Sequence, residues 1–345
     1  MPIARPVQRA AYRAQQTTWL VNCLAAHQLL RTVSGTKIQP SSRAVAEVRQ
    51  RYADLIGRDL SNAEQGLYPR KLLFQMPVAG YVRRFPRLVR DFPRAIRRSR
   101  RGDYKDLPQG VDLAGYPAYF RRNFHWQTDG YLSRRSAELY DIGVEFLFLG
   151  MADVMRRQVI PPVTRFLREQ SPERPRLLDV ASGTGRTLLQ IAMAHPGLKL
   201  YGLDLSPYYT QVARDLLRDV PDVSLVAENA EHMPFCDNYF DVLTSVYLFH
   251  ELPRNARRNV FREMFRVLRP GGLLVIEDSA QHVDAGNVAF FLERFSEEFH
   301  EPFFPDYLDD DLAQALPEAG FEVQAADPCF VAKVVVARKP LEASS

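Results

Sequence analysis

Asp179, Gly183 and Gly185 stand close together in the run LLDVASGTG, and Asp204 follows Gly185 by nineteen residues at the end of a second apolar run, LKLYGLDL. A strand over Arg176 to Val180, a glycine-containing turn, a helix over Thr187 to Ala194 and an acid ending the next strand form a known arrangement. It is the one with which a doubly wound sheet holds an adenosine-containing ligand over its C-terminal edge. Glycine lets the backbone come close to the ligand, and a carboxylate accepts hydrogen bonds from ribose hydroxyls. A second set of titratable residues lies further along. His250, just past the fourth expected strand, is the best-placed general base, because a neutral imidazole suits proton transfer near pH 7. The alternative is that it anchors its loop. Asp278, His282 and His300 follow. Neither a Ser-His-Asp order nor a metal-ligand spacing is visible, so no metal is expected.

The elements that must position these residues come in a fixed order. A third strand is expected over Val223 to Ala227, a fourth over Asp241 to Val246, and an amphipathic helix over Asn255 to Leu268. A Pro-Gly-Gly turn at Pro270 to Gly272 then leads into a fifth strand, LLVIED. Residues 321–327 and 330–337 read as a closing antiparallel pair with the last strand at the edge, and the tail from Lys339 reads as polar and frayed. A helix-like stretch covers Val288 to His300.

Over roughly residues 171–338 these motifs resemble the class I S-adenosyl-methionine-dependent methyltransferases. Within them the chain is similar to the quinone-biosynthesis C-methyltransferase-like group, methyltransferase type 11. The resemblance implies an α/β fold: a Rossmann-like, seven-stranded methyltransferase sheet with an N-terminal helical accessory region. It implies S-adenosyl-methionine as cofactor. Asp179, Gly183 and Gly185 match the motif that wraps the methionine part, with Ala181 where the family usually has its first glycine. Asp204 matches the ribose-binding acid, Leu205 lies beside the adenine, and Asn229 and Ala230 match the pair that recognises the adenine edge. Asn229 replaces a frequent Asp, so it accepts a hydrogen bond without charge. Ser245 and Val246 end the strand that passes beneath the sulfonium.

The family's helices before the first strand commonly form a lid. Residues 116–140 carry Tyr116, Tyr119, Phe120, Phe124, Trp126, Tyr131 and Tyr140 together with His125. Tyr131, Tyr140, His125, His250 and Asp278 are therefore the acceptor-side candidates, with Gln127 beside them, although packing of aromatics against the core is the competing reading. Methyl transfer from a sulfonium is an in-line displacement, so the protein mainly supplies alignment and exclusion of water. A base is needed only if the acceptor loses a proton. The acceptor is expected to be a small molecule, lipophilic or aromatic. No N-P-P-[YF] tetrad of amino methylation is present. A cofactor-binding scaffold or assembly protein without transferase activity is the alternative.

Composition divides the chain. Residues 1–170 carry 29 Lys and Arg against 14 Asp and Glu, and residues 171–345 carry 16 against 27, so net charges of +15 and −11 hide inside the overall +4. The expected organisation is a helical accessory region over 1–110, an aromatic-rich helical lid over 111–170 and a methyltransferase core over 171–339. Helices are read over 14–34 and 42–57. The stretch Tyr81 to Arg101 holds nine arginines on one side of a 3.6-residue apolar pattern, with Pro86 and Pro93 expected to break it into short pieces. Such a stretch fits three readings: a solvated or internally paired face, peripheral contact with an anionic membrane, or, least favoured, nucleic acid. Cys23, Cys236 and Cys329 show no pairing pattern, and no apolar run approaches a membrane span. A cytoplasmic location, with membrane-peripheral contact as a variant, is the expectation; an Arg-rich transit peptide is the alternative.

Overall fold

The computed structural model describes residues 5–34 and 41–341. Among the described residues thirteen α-helices run in chain order. They are α1 Arg5–Ser34, α2 Ser42–Glu64, α3 Val78–Arg101, α4 Arg134–Leu147, α5 Ala152–Arg156, α6 Ile160–Gln170, α7 Arg186–Ala194, α8 Pro207–Leu216, α9 Arg254–Val267, α10 His282–Ala285, α11 Ala289–Phe299, α12 Phe304–Asp309 and α13 Leu312–Glu318. The strands are β1 Arg176–Val180, β2 Lys199–Asp204, β3 Val223–Ala227, β4 Phe240–Val246, β5 Leu268–Ser279, β6 Glu322–Cys329 and β7 Ala332–Arg338.

The seven strands form one sheet in the order β3-β2-β1-β4-β5-β7-β6. β1 to β5 are parallel, and β1, β2 and β4 are buried along most of their length because both faces of the sheet are covered. β7 runs antiparallel between β5 and β6, so β6, not β7, is the edge strand. The order reverses between β1 and β4, and the crevice beyond their C-terminal ends is where this topology leaves room for a ligand. The Pro270 to Gly272 turn is absorbed into β5 as an irregularity: Phe240 pairs with Leu268, and regular pairing resumes at Val242 with Leu273. Gly271 there donates its N–H to the Lys339 carbonyl at 2.8 Å, so the chain end closes over the bulge. Residues 342–345, the end of the tail read as frayed, lie outside the described residues.

The accessory helices share the sheet's core. One buried cluster joins Tyr12 of α1, Tyr52 and Leu55 of α2 and Val163 and Phe166 of α6 to Leu177, Leu188, Leu200 and Val275. A second lies on the opposite face, with Leu178, Leu203, Leu243, Phe261 and Ile276.

α3 corrects the expected break at its prolines: the helix is continuous through Pro86 and Pro93. A proline deprives the carbonyl four residues earlier of its partner. Here those carbonyls belong to Val82 and Val89, and both residues are exposed, so the unpaired carbonyls lie on the solvent side of the helix rather than in the core. Seven residues separate the two rings, which puts both on the same solvent side. Cys23, Cys236 and Cys329 are all free thiols, and no described helix is long and apolar enough to cross a membrane.

Candidate functional site

Two adjoining cavities lie over the C-terminal ends of β1 and β4. The first is lined by Ala181, Ser182, Gly183, Thr184, Leu203, Asp204, Leu205, Asn229, Ala230 and Val246 from the sheet side, and by Phe120, Phe124, Tyr131, Tyr140 and Tyr209 from above. Arg156 and Arg186 enter its wall at one end. The second is lined mainly by apolar groups, including Leu88, Phe92, Leu139, Leu147, Phe148, Phe295 and Phe299, with His125, Gln127 and His250 among its polar ones. Tyr140, Tyr247 and Glu251 belong to both walls.

Local sequence builds the first cavity. Gly183 (φ +53°) and Gly185 (φ +81°) take left-handed backbone, and Gly185 opens α7. A Cβ on Gly183 would meet nothing within 4 Å, so the turn leaves space on the cavity side. Asp204 holds this turn: its Oδ2 accepts from the Gly183 N–H and its Oδ1 from the Ser206 N–H, both at 2.8 Å. Burial pushes the Asp204 carboxyl up to about 6, against the pull of those two bonds. Ala181 is also left-handed (φ +60°), where a Cβ is strained. Ala181→Gly should therefore raise stability by about 0.5–1 kcal/mol, the strain relieved less the extra unfolded-state entropy of glycine. An unchanged or lower denaturation midpoint would count against strain at this turn.

Asp179, Gly185 and Ser245, expected on the cofactor side, stand behind the cavity wall and not in it. Asp179 is buried behind it and accepts from the Thr244 hydroxyl at 2.7 Å, and burial raises its carboxyl to about 7. Gly185 packs against α8, where a Cβ would come within 3.1 Å of Ala213 and 3.0 Å of Leu217. The Ser245 hydroxyl donates to the Val180 carbonyl at 3.0 Å, tying β4 to β1. These three shape the wall from behind. The Asn229 side-chain oxygen accepts from the Glu231 N–H at 2.9 Å, which leaves its second lone pair for a ligand.

On the acceptor side the structure brings Tyr131, Tyr140, His125 and His250 to the cavities, whereas Asp278 lines neither. Asp278 is fully buried and accepts from the Leu248 and Phe249 N–H groups at 3.0 and 2.6 Å and contacts His250 Nδ1 at 2.6 Å. It fixes the loop after β4. Burial opposes a charged His250, but Asp278 outweighs it and holds the imidazole up at about 9, so it is an imidazolium at pH 7, not the neutral base expected from sequence. His282 is half-exposed against Asp309, and His300 stacks between Tyr104 and Trp126, away from both cavity walls.

Sequence reasoning missed Glu251, Glu301, Arg156 and Arg186. His125 and Trp126 take consecutive left-handed backbone (φ +53° and +56°), and the imidazole bridges two carboxylates. Its Nε2 lies 3.2 Å from Glu251 Oε1 and its Nδ1 3.0 Å from Glu301 Oε1. Burial opposes the cation, but Glu301 and Glu251 overcome it and hold His125 at about 10. The Tyr131 hydroxyl also donates to Glu251 Oε1. Arg186, directly after the glycine turn, and Arg156 both pair with the buried Asp153. The only sequence signal was the position of Arg186 after GTG and of Glu251 after His250.

The family model described as a methyltransferase domain matches residues 178–276. A demethylmenaquinone methyltransferase of Thermotoga maritima is 29% identical over 214 residues, which is 57% of this chain and 88% of that protein. The O-methyltransferase rstn1 of Aspergillus nomiae is 32% identical over 196 residues, 54% of this chain and 84% of that protein. The ubiquinone/menaquinone biosynthesis C-methyltransferase UbiE of Proteus mirabilis is 33% identical over 153 residues, 43% of this chain and 58% of that protein.

Proposed function

The chain belongs to the class I S-adenosyl-methionine-dependent methyltransferases, and from that premise we propose that it methylates a small apolar or aromatic acceptor held in the second cavity. The observation that carries this reading is the shared wall: a cavity over the glycine turn with Asp204, Asn229, Arg156 and Arg186 in its lining meets a more apolar one at Tyr140, Tyr247 and Glu251. The names of its relatives, which include methyltransferases of quinone biosynthesis and an O-methyltransferase, support an acceptor of that class.

The first cavity fits the cofactor. Asp204 offers carboxylate oxygens to ribose hydroxyls, Leu205 and Ala230 offer apolar surface to adenine, and Asn229 offers its free lone pair to the adenine edge. Arg156 and Arg186 supply the positive charge that a carboxylate needs when it leaves water. When bound, S-adenosyl-methionine supplies a methyl group activated by its sulfonium. The protein's residues then align and dehydrate. Tyr131, Tyr140 and Tyr209 pack edge to face with ring centroids 5.3–6.2 Å apart and roof the cavity against water. Glu251 uses Oε1 to bind Tyr131 and His125; Oε2, with no bond among the described residues, accepts the acceptor's proton. His125 and Glu301 are positioning residues for that carboxylate.

Asp204→Ala should weaken cofactor binding by about 1–3 kcal/mol, the range for losing a charged hydrogen-bond partner. Titration calorimetry checks it, and unchanged affinity would mean that the cofactor lies elsewhere. Gly183→Val should do worse, since a branched residue is strained at φ +53° and fills the cavity. The function itself is tested by S-adenosyl-homocysteine release from the full-length protein with a panel of quinols and phenols. Tight cofactor binding without product across the panel would favour a scaffold instead.

A further inference from the structure

Helix α3 has two working sides, and methyl transfer uses only one. Leu88, Asp91, Phe92 and Ala95 face inward and wall the second cavity. Arg98 is 5% exposed and donates to the Trp126 carbonyl and the Thr128 hydroxyl, and Asp91 accepts from Arg135, so this side is fastened to the body. The other side carries Val78, Val82, Phe85 and Val89, exposed by 48, 66, 47 and 54%. Their spacing of four, three and four residues makes one apolar strip along the helix. Single exposed apolar residues are ordinary, but a contiguous strip on one element marks an interaction surface.

Beside that strip stand Arg83, Arg90, Arg94, Arg97, Arg100 and Arg101, all exposed. Among the described residues, the ion pairs of α3 arginines are Arg87 with Glu138 and Arg98 with Asp106. Both acids lie before residue 171, so the internal pairing with the acidic half that the sequence allowed is not seen among them. A nucleic acid would offer phosphates to the arginines and an unpaired base to stack on Phe85, but nothing to the three valines of the strip. An anionic bilayer offers both, acyl chains to the strip and phosphates to guanidiniums whose stems snorkel outward.

We propose that α3 docks the protein on an anionic membrane surface, with the Val78–Val82–Phe85–Val89 strip in the boundary between headgroups and acyl chains. The same helix then separates the bilayer from the second cavity, which gives an apolar acceptor dissolved in the membrane a short route to it. That consequence rests on the acceptor reading above; the docking does not. Sedimentation reads docking without turnover, so failure of either is distinguishable from failure of the other.

The test is co-sedimentation of the full-length protein with phosphatidylcholine vesicles with and without phosphatidylglycerol. Wild type should bind the anionic vesicles and lose them as the screening length falls from about 10 Å at 0.1 M salt to about 3 Å at 1 M. Each arginine near such a surface is worth about five-fold in partitioning, so Arg90→Gln, Arg94→Gln, Arg97→Gln and Arg100→Gln together should lower it by about 600-fold. Val82→Ser, Phe85→Ser and Val89→Ser together should lower it about ten-fold or more. Both variants should keep wild-type melting and cofactor affinity. No binding at low salt, or equal binding to neutral vesicles, overturns the proposal. So does a serine variant that binds as wild type while the glutamine variant does not, since that is a polyanion site without insertion. Self-association abolished by the serine substitutions, without vesicle binding, would assign the strip to a second copy and also overturn it.

Discussion

Replacing Glu251 by glutamine should lower turnover by about 10²–10⁴-fold, the usual worth of a positioned acid–base group, with cofactor affinity nearly unchanged. Glutamine keeps the shape and can still accept from Tyr131, but it cannot take a proton at Oε2. The effect requires an acceptor that loses a proton in the reaction, so the assay uses a phenol or quinol. The pH profile separates Glu251 from His250 as the base. His250 is held at about 9 and His125 at about 10, so both are charged through neutrality. If Glu251 is the base, those imidazoliums stabilise the site, and kcat should fall as pH passes 9 and their protons leave. If His250 is the base, deprotonation activates it, and kcat should instead rise through about 9. Wild-type turnover in the glutamine variant, or a rising limb, would remove Glu251 from the chemistry.

That assignment was out of reach of sequence for a physical reason. The strands and the glycine turn are local: apolar runs covered on both faces, a left-handed turn at Gly183 and Gly185, and an acid at a strand end are each written within a few residues. The boundaries of β1 and β3 therefore agree with the sequence reading, and β2 ends on Asp204 as expected. His125 and Glu251 are 126 residues apart and meet only because the aromatic segment folds over the β4 end. The charge state of His250 likewise depends on Asp278, 28 residues later, being buried against it. α3 misled for another reason. Proline's effect on a helix depends on whether the stranded carbonyl reaches water, and the 3.6-residue apolar pattern does not say which of its residues face the body. In the structure they are on the wet side. The apolar positions of that helix split into an inner row and an outer strip, a distinction that a single 3.6-residue period does not carry.

Arg157→Met should be the most destabilising substitution outside the cavities, by about 3–5 kcal/mol, because it strands a buried charge. Asp59 of α2 is fully buried and accepts from Arg157 Nε at 3.0 Å and from Nη2 at 2.7 Å. The hydroxyls of Tyr68 and Tyr12 donate to the same carboxylate. This one ion pair thereby joins α1, α2 and the short turn between α5 and α6. Removing the guanidinium leaves a carboxylate with two hydroxyls in place of its cation, in a site that water does not reach. Asp59→Leu combined with Arg157→Met removes both charges and should recover part of the loss, since a buried pair replaced by apolar groups is often close to neutral; Tyr68 keeps the Asp59 backbone carbonyl as acceptor at 2.9 Å, but the Tyr12 hydroxyl loses its carboxylate, which keeps the recovery incomplete. Chemical denaturation of the single and double variants checks this, and a single variant within about 1 kcal/mol of wild type would mean that the buried pair does not hold these helices together. The pair also reaches the site. Arg156 is the preceding residue and points into the first cavity, so the Arg157 anchor fixes the backbone from which Arg156 projects. The single variant should therefore lose cofactor affinity as well as stability, although Arg157 lines neither cavity, and the double variant should regain the two together.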